Sequence, residues 1–215
     1  MSVALQGMPH SAPVGNGASL TLIRGADLVV APWKNGGGVT REVAAFPEGA
    51  GLDAFVWRVS VADVARAGPF SRFAGIDRTL VLLSGAGMLL DEAESAHGVK
   101  THALTQALDM ARFAGEAQID ARLVDGATRD FNLMVRRDAA HGEVEVWRGA
   151  TQRTLSADAV LLYCAEGSVS VTPGDAQALP LATGDTLRID TPSALSCTIE
   201  GAGALLAISV RYKQR

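Results

Sequence analysis

Short apolar runs, four to eight residues long and rich in β-branched side chains, recur along this chain between clusters of Gly, Pro and Asp. Runs of that length suit strands and are too short for most globular helices. Candidate strands are 19–22, 39–44, 55–61, 79–83, 88–90, 121–124 and 131–135, followed by 143–147, 159–164, 168–171, 186–189 and 205–211. Helical periodicity is scarce. The best stretch, 61–67, is short and is stopped by Gly68-Pro69. The expectation is an all-β fold with few short helices at its periphery.

An internal echo sharpens that expectation. RTLVLLSGAGMLL from Arg78 is followed by a Gly-centred turn in FAGEAQIDARL from Phe113, and AVLLYCAEGSVSV from Ala159 is followed by LATGDTLRI from Leu181. Each half reads as strand, Gly turn, strand, variable excursion, then a Gly-acid turn into another strand. That is how a cupin barrel, or jelly roll, looks in sequence. The chain of 215 residues therefore divides into a flexible lead-in (1–18), a first cupin module (19–125) and a second (126–215), with strands free to exchange between modules. This is a double cupin, or bicupin. A single large β-sandwich is the other reading of the same runs.

Charge and composition remove several functions. The net charge of −4, with no Lys/Arg-rich run, offers nothing to a phosphate backbone, so no nucleic-acid partner is expected. Apolar stretches such as 80–83 fall far short of the roughly 20 residues that span a bilayer, so no membrane partner is expected either. The N-terminus lacks the basic start and apolar middle of an export signal. Cys164 and Cys197 stand in separate apolar runs without C-x-x-C spacing, as reduced core residues do.

Metal and cofactor chemistry find no foothold in the sequence. Cupins often hold a transition metal with clustered histidines and a carboxylate. Here His10, His97, His102 and His141 are dispersed, and the place after the first Gly turn that would carry such histidines reads SRFAGIDRT from Ser71. GNGASL near Gly15 lacks the third glycine of a dinucleotide motif, and no G-x-S-x-G elbow is present. The expectation is a chain without metal or cofactor.

The most unusual local sequence is PWKNGGGVTREV from Pro32. Three consecutive glycines are costly to order, which points either to a tight turn needing positive φ or to a loop that lets backbone approach a ligand. In the strand that follows, Thr40 and Glu42 share one face while Arg41 lies with Val39 and Val43 on the other. The same alternation in FVWRVSV separates Arg58 and Ser60 from Trp57, Val59 and Val61. In DFNLMVRR it separates Asp130, Asn132, Met134 and Arg136 from Phe131, Leu133 and Val135. Such polar faces are either the wet side of an antiparallel sheet or groups converging inside a barrel mouth. Arg58, Arg78 and Arg136 can each grip a carboxylate with paired donors, which suits a small anionic metabolite.

PWKNGGGVTRE, WRVSVADVARAGPFSRFAGIDRTLVLLSG and RDFNLMVRR together resemble the HutD/Ves family, from about Leu20 through Arg137 and more diffusely beyond. The resemblance implies a bicupin without bound metal, a bacterial cytoplasmic setting, a homodimer and, in some members, an association with histidine utilisation. Formylglutamate or urocanate is then the candidate ligand, and no established catalytic activity comes with the resemblance. The candidate ligand-binding residues are Lys34, Asn35, Thr40, Glu42, Arg58, Ser60, Asp77, Arg78, Asn132 and Arg136. Two alternatives stand beside a binding protein: a metal-independent isomerase or hydrolase using Glu42 or Asp77 as acid or base, and a structural partner docking through a sheet edge.

Overall fold

The computed structural model describes residues 11–14, 17–93 and 98–214, so His10 and His97 lie outside the described residues. Within them the chain is built of strands, with 3-10 conformation at Gly17 and in a turn at Gly25–Asp27. No helix among the described residues is long and apolar enough to cross a membrane. The strands are β1 (Ser11–Val14), β2 (Ala18–Ile23), β3 (Val30–Pro32), β4 (Gly38–Phe46), β5 (Trp57–Val64), β6 (Gly68–Pro69), β7 (Ile76–Ser84), β8 (Met88–Ala93), β9 (Val99–Leu104) and β10 (Met110–Ala114). They continue with β11 (Ile119–Leu123), β12 (Thr128–Arg136), β13 (Ala140–Arg148), β14 (Thr151–Leu155), β15 (Ala159–Glu166), β16 (Ser168–Pro173), β17 (Leu179–Ala182), β18 (Thr186–Asp190), β19 (Leu195–Glu200) and β20 (Ala204–Tyr212).

Two compact units result. One comprises residues 28–142 with the described residues from 212 onward, and the other 143–211 with the described residues up to 27. In the first, a six-stranded sheet ordered β10-β7-β12-β5-β4-β3 faces a four-stranded sheet ordered β6-β11-β8-β9. Strand β12 pairs antiparallel with both β5 and β7, so it lies on the same side of the unit boundary as they do. A division after residue 125, as read from the sequence, would separate it from those partners. The core between the two sheets is made by Ala62, Val64, Leu80 and Leu82 from one and Met88, Leu90, Leu104, Ile119 and Ala121 from the other.

The second unit repeats the plan with sheets ordered β1-β2-β18-β15-β20-β13 and β14-β19-β16-β17. Its interior is aliphatic, with Leu20, Val160, Leu162, Val171, Leu187, Ile189 and Ile199 packed around Cys164 and Cys197. Both cysteines are buried free thiols, and burial pushes each up to about 11. Asp185 closes a corner of this unit. It accepts hydrogen bonds from the backbone N–H groups of Gly25 and Ala182 and pairs with Arg24 at 2.7 Å.

The best helical candidate in the sequence, 61–67, is not a helix. Residues 61–64 complete β5, where Val61, Ala62 and Val64 are all buried. Burial on both faces erases the alternation that marks a half-exposed strand, and the segment then mimics a short helical pattern.

Candidate functional site

In the unit formed by residues 28–142, four strands turn polar side chains toward one cavity of about 690 Å³. The register explains the convergence. Successive inward positions along β12 are Met134, Asn132 and Asp130, paired on one side with Arg58, Ser60 and Ala62 of β5 and on the other with Arg78, Leu80 and Leu82 of β7. Thr40 and Glu42 of β4 extend the same rows opposite Ala62 and Ser60. Of the two readings left open for these faces, the structure has them lining a cavity. The opposite face, with Trp57, Val59, Phe131 and Leu133, is also buried.

The Gly-rich segment is the hairpin turn joining β3 to β4, and it lies at the cavity mouth. Asn35 Oδ1 accepts from the N–H of Gly37 at 2.9 Å, and Gly36 takes a φ of +66°. At Gly38 a Cβ would collide with the Asp63 carbonyl oxygen and would sit 3.2 Å from the Trp33 ring. The missing side chain lets the Trp33 indole lie against the turn, where its Nε1 donates to Thr40 Oγ1 at 2.7 Å. Trp33, Lys34 and Asn35 all line the cavity.

Arg78 is the central group. Only 8% exposed, its guanidinium sits 5.1–5.9 Å from the ring centroids of Phe70, Phe73 and Phe113. Its hydrogen bonds, to Asn132 Oδ1 and to the Ser71 carbonyl oxygen, are all long at 3.4 Å. Among the described residues no carboxylate lies within ion-pair distance of it. Burial lowers it to about 10, with Asp130 opposing and Arg58 adding to the shift, so it stays cationic at neutral pH. Arg58 stands on the same row, its Nε donating to Glu42 Oε2 at 2.7 Å and its Nη1 to Ser60 Oγ at 3.3 Å.

Eight of the ten expected residues line the cavity: Lys34, Asn35, Thr40, Glu42, Arg58, Ser60, Arg78 and Asn132. Asp77 and Arg136 do not. Asp77 neighbours Arg78 on the strand and so points to the other face; its side chain is 55% exposed and pairs with Arg137 at 2.7 Å. Arg136 lies beyond Met134, where its guanidinium donates to the Asp53 and Phe55 carbonyl oxygens at 2.9 and 3.1 Å. Those bonds fix the loop whose Ala50, Gly51 and Leu52 line the cavity, so Arg136 supports the rim rather than reaching into it.

Arg41, on the outer face of β4, shares Asp63 with Arg129. The Arg129 hydrogen bond is the largest influence holding Asp63 below the usual carboxylate range.

The ten residues omit Asp130 and the aromatic collar. Alternation already placed Asp130 beside Asn132, and PFSRF carries Phe70 and Phe73. Phe113 becomes visible only through the pairing of β10 with β7, which sets it opposite Arg78. Among the described residues no cluster of three or more His, Cys, Asp or Glu is arranged to hold a metal.

Two jelly-roll units, one of them enclosing an arginine-bearing cavity, define a double cupin. The chain belongs to the HutD family, which matches residues 25–207. It is 34% identical over 195 residues to an uncharacterised 21.2 kDa protein in the hutC 3′ region of Pseudomonas putida, spanning 90% of this chain and 100% of that one. Protein Ves of Citrobacter koseri is 38% identical over 116 residues, 53% of this chain and 56% of its own length. Among solved structures, HutD from Pseudomonas fluorescens superposes with a TM-score of 0.78 at 31% identity, covering 91% of this chain and 100% of that one. An oxalate decarboxylase variant from Bacillus subtilis, 9% identical with a TM-score of 0.59 over 90% of this chain and 77% of its own, shares the fold alone.

Proposed function

We propose that this protein captures a small carboxylated metabolite in the cavity of residues 28–142 and thereby tunes histidine utilisation in the cytoplasm. The observation that carries this reading is Arg78: a buried guanidinium, braced by three aromatic rings, whose own contacts are all long. A planar cation held that way offers paired donors to a carboxylate, and aromatic walls strengthen the attraction by excluding water. Arg58 and Lys34 add positive charge at the same cavity. The pathway is suggested by the relative in the hutC 3′ region and by the family itself. Formylglutamate and urocanate are the leading candidates on that ground.

Ligand binding stabilises the native state by about 2.7 kcal/mol when the ligand is at a hundred times its Kd. For a chain of this size that corresponds to a rise in Tm of roughly 5–10 °C. Thermal-shift titration with formylglutamate, urocanate, histidine and glutamate to millimolar concentration is expected to show such a rise for at least one carboxylate. A flat response to all four would sink the reading.

Asp77, proposed from sequence as an acid or base, lies outside the cavity, and Glu42 is engaged by Arg58. Neither position favours catalysis. We further propose a homodimer, formed by edge pairing. Strand β9 ends its sheet and presents Val99 at 65% exposure, the kind of edge that accepts a partner strand. Light scattering is expected to give about twice the 22.3 kDa chain mass, and a monomeric mass would remove this part.

A further inference from the structure

Asp130 lies at the inner end of the cavity and takes no part in the contacts that hold it together. It is 2% exposed, it lines the cavity, and its Oδ2 is buried without a hydrogen-bond partner among the described residues. Its cross-strand neighbours are Ala62 and Leu82, whose side chains have no donor to offer. The polar side chains flanking it on the same face are Thr128, whose Oγ1 is likewise buried without a partner, and Asn132, whose Oδ1 accepts from Arg78; neither donates to Asp130 Oδ2. Burial pushes the carboxyl up to about 7, Arg78 pulls it down, and Asp63 pushes it up. An unpartnered buried carboxyl on a cavity wall can be completed by a donor carried by whatever fills that cavity.

We propose that Asp130 is a donor-reading subsite: the ligand is a small carboxylate that also bears an N–H or O–H group, which completes Asp130 while the carboxylate rests on Arg78. This rests on the carboxylate reading above and narrows its ligand class. The spacing follows from the strand. Arg78 reaches as far as Asn132, and Asp130 is the next inward residue, roughly 7 Å further along β12. The donor therefore sits several bonds from the carboxylate, which excludes simple short-chain acids and α-amino acids bound through the amine alone. Specificity of this kind is strong because a ligand lacking the donor leaves the buried oxygen unpaired.

The test compares isosteric pairs that differ only in the donor, by calorimetry on the full chain: urocanate with 3-(oxazol-4-yl)acrylate, formylglutamate with 2-formyloxyglutarate, and indole-3-acetate with benzofuran-3-acetate. In at least one pair the donor-bearing member is expected to bind tenfold or more tightly. Asp130→Ala is expected to shrink that ratio below twofold while the donorless partner keeps its affinity within threefold. Equal binding within every pair overturns the subsite and leaves the carboxylate reading intact. Binding of none of the six compounds overturns both, and retention of the ratio in Asp130→Ala overturns the assignment to this residue. The comparison on the unaltered protein requires no variant, so it decides the question even if Asp130→Ala fails to fold.

Discussion

Arg78→Met is expected to weaken carboxylate binding by a factor on the order of a hundred or more while leaving the unfolding free energy unchanged or raised. Truncating one side of a buried charge pair costs roughly 2–5 kcal/mol of binding, and each 1.4 kcal/mol is tenfold in Kd. The effect on folding runs the other way. Arg78 is desolvated among Phe70, Phe73 and Phe113 and gains only long hydrogen bonds in exchange. An apolar side chain of similar length keeps the packing and removes the desolvation penalty. Calorimetry and urea denaturation on the same variant check both halves. An unchanged Kd, or a large loss of stability with affinity retained, would show that the guanidinium is a structural strut. Affinity gained at the expense of stability is the usual pattern at binding sites.

The second large effect concerns Asp130 and pH. Its carboxyl is raised from 3.8 to about 7, chiefly by burial. A folded-state value above the unfolded one means the native state holds a proton that the unfolded state has released. The associated stability is fully present below pH 3.8 and is lost as pH rises through about 7. Over that window the wild-type protein should lose roughly 4 kcal/mol relative to Asp130→Asn, since a proton held across each pH unit between the two values is worth about 1.4 kcal/mol. The carboxylates held below their ordinary values, Asp63 and Asp185 among them, act in the opposite sense and at lower pH. Taking the difference between the two proteins by denaturation at pH 4, 5.5 and 7.5 isolates the Asp130 contribution. A difference that does not vary with pH would mean that Asp130 ionises in the native state as freely as in the unfolded one.

Strands whose apolar residues stand out from polar surroundings were legible from the residues alone. Strands β2, β7, β15 and β20 each contain a run readable from sequence and extend one to three residues past it. Strands β9 and β14 do not, because VKTHAL and TQRTL are mostly exposed and carry no apolar run to see. They form because a neighbour offers backbone partners, which is a property of the sheet and not of the segment.

The cavity was legible to the extent that alternation assigns faces. It placed Arg58 with Ser60, and Asn132 with Asp130 and Met134, but could not say whether those faces met each other or water. Arg136 shows the limit. Period-2 reasoning gave the right face, yet the long side chain bends to the Asp53 and Phe55 carbonyl oxygens once β12 runs out beneath the loop. Asp77 failed for a simpler reason, since adjacency to Arg78 in sequence means opposition in a strand.

The aliphatic filling of the unit containing residues 143–211 has a consequence for how the two halves can evolve. A charged solute entering among Leu162, Ile189 and Ile199 would shed its hydration with nothing to replace it. That interior is closed to polar cargo and free to drift among shapes of equal volume. In a mutational survey, changes there should register as solubility and melting behaviour, whereas changes around Arg78 should register as selectivity.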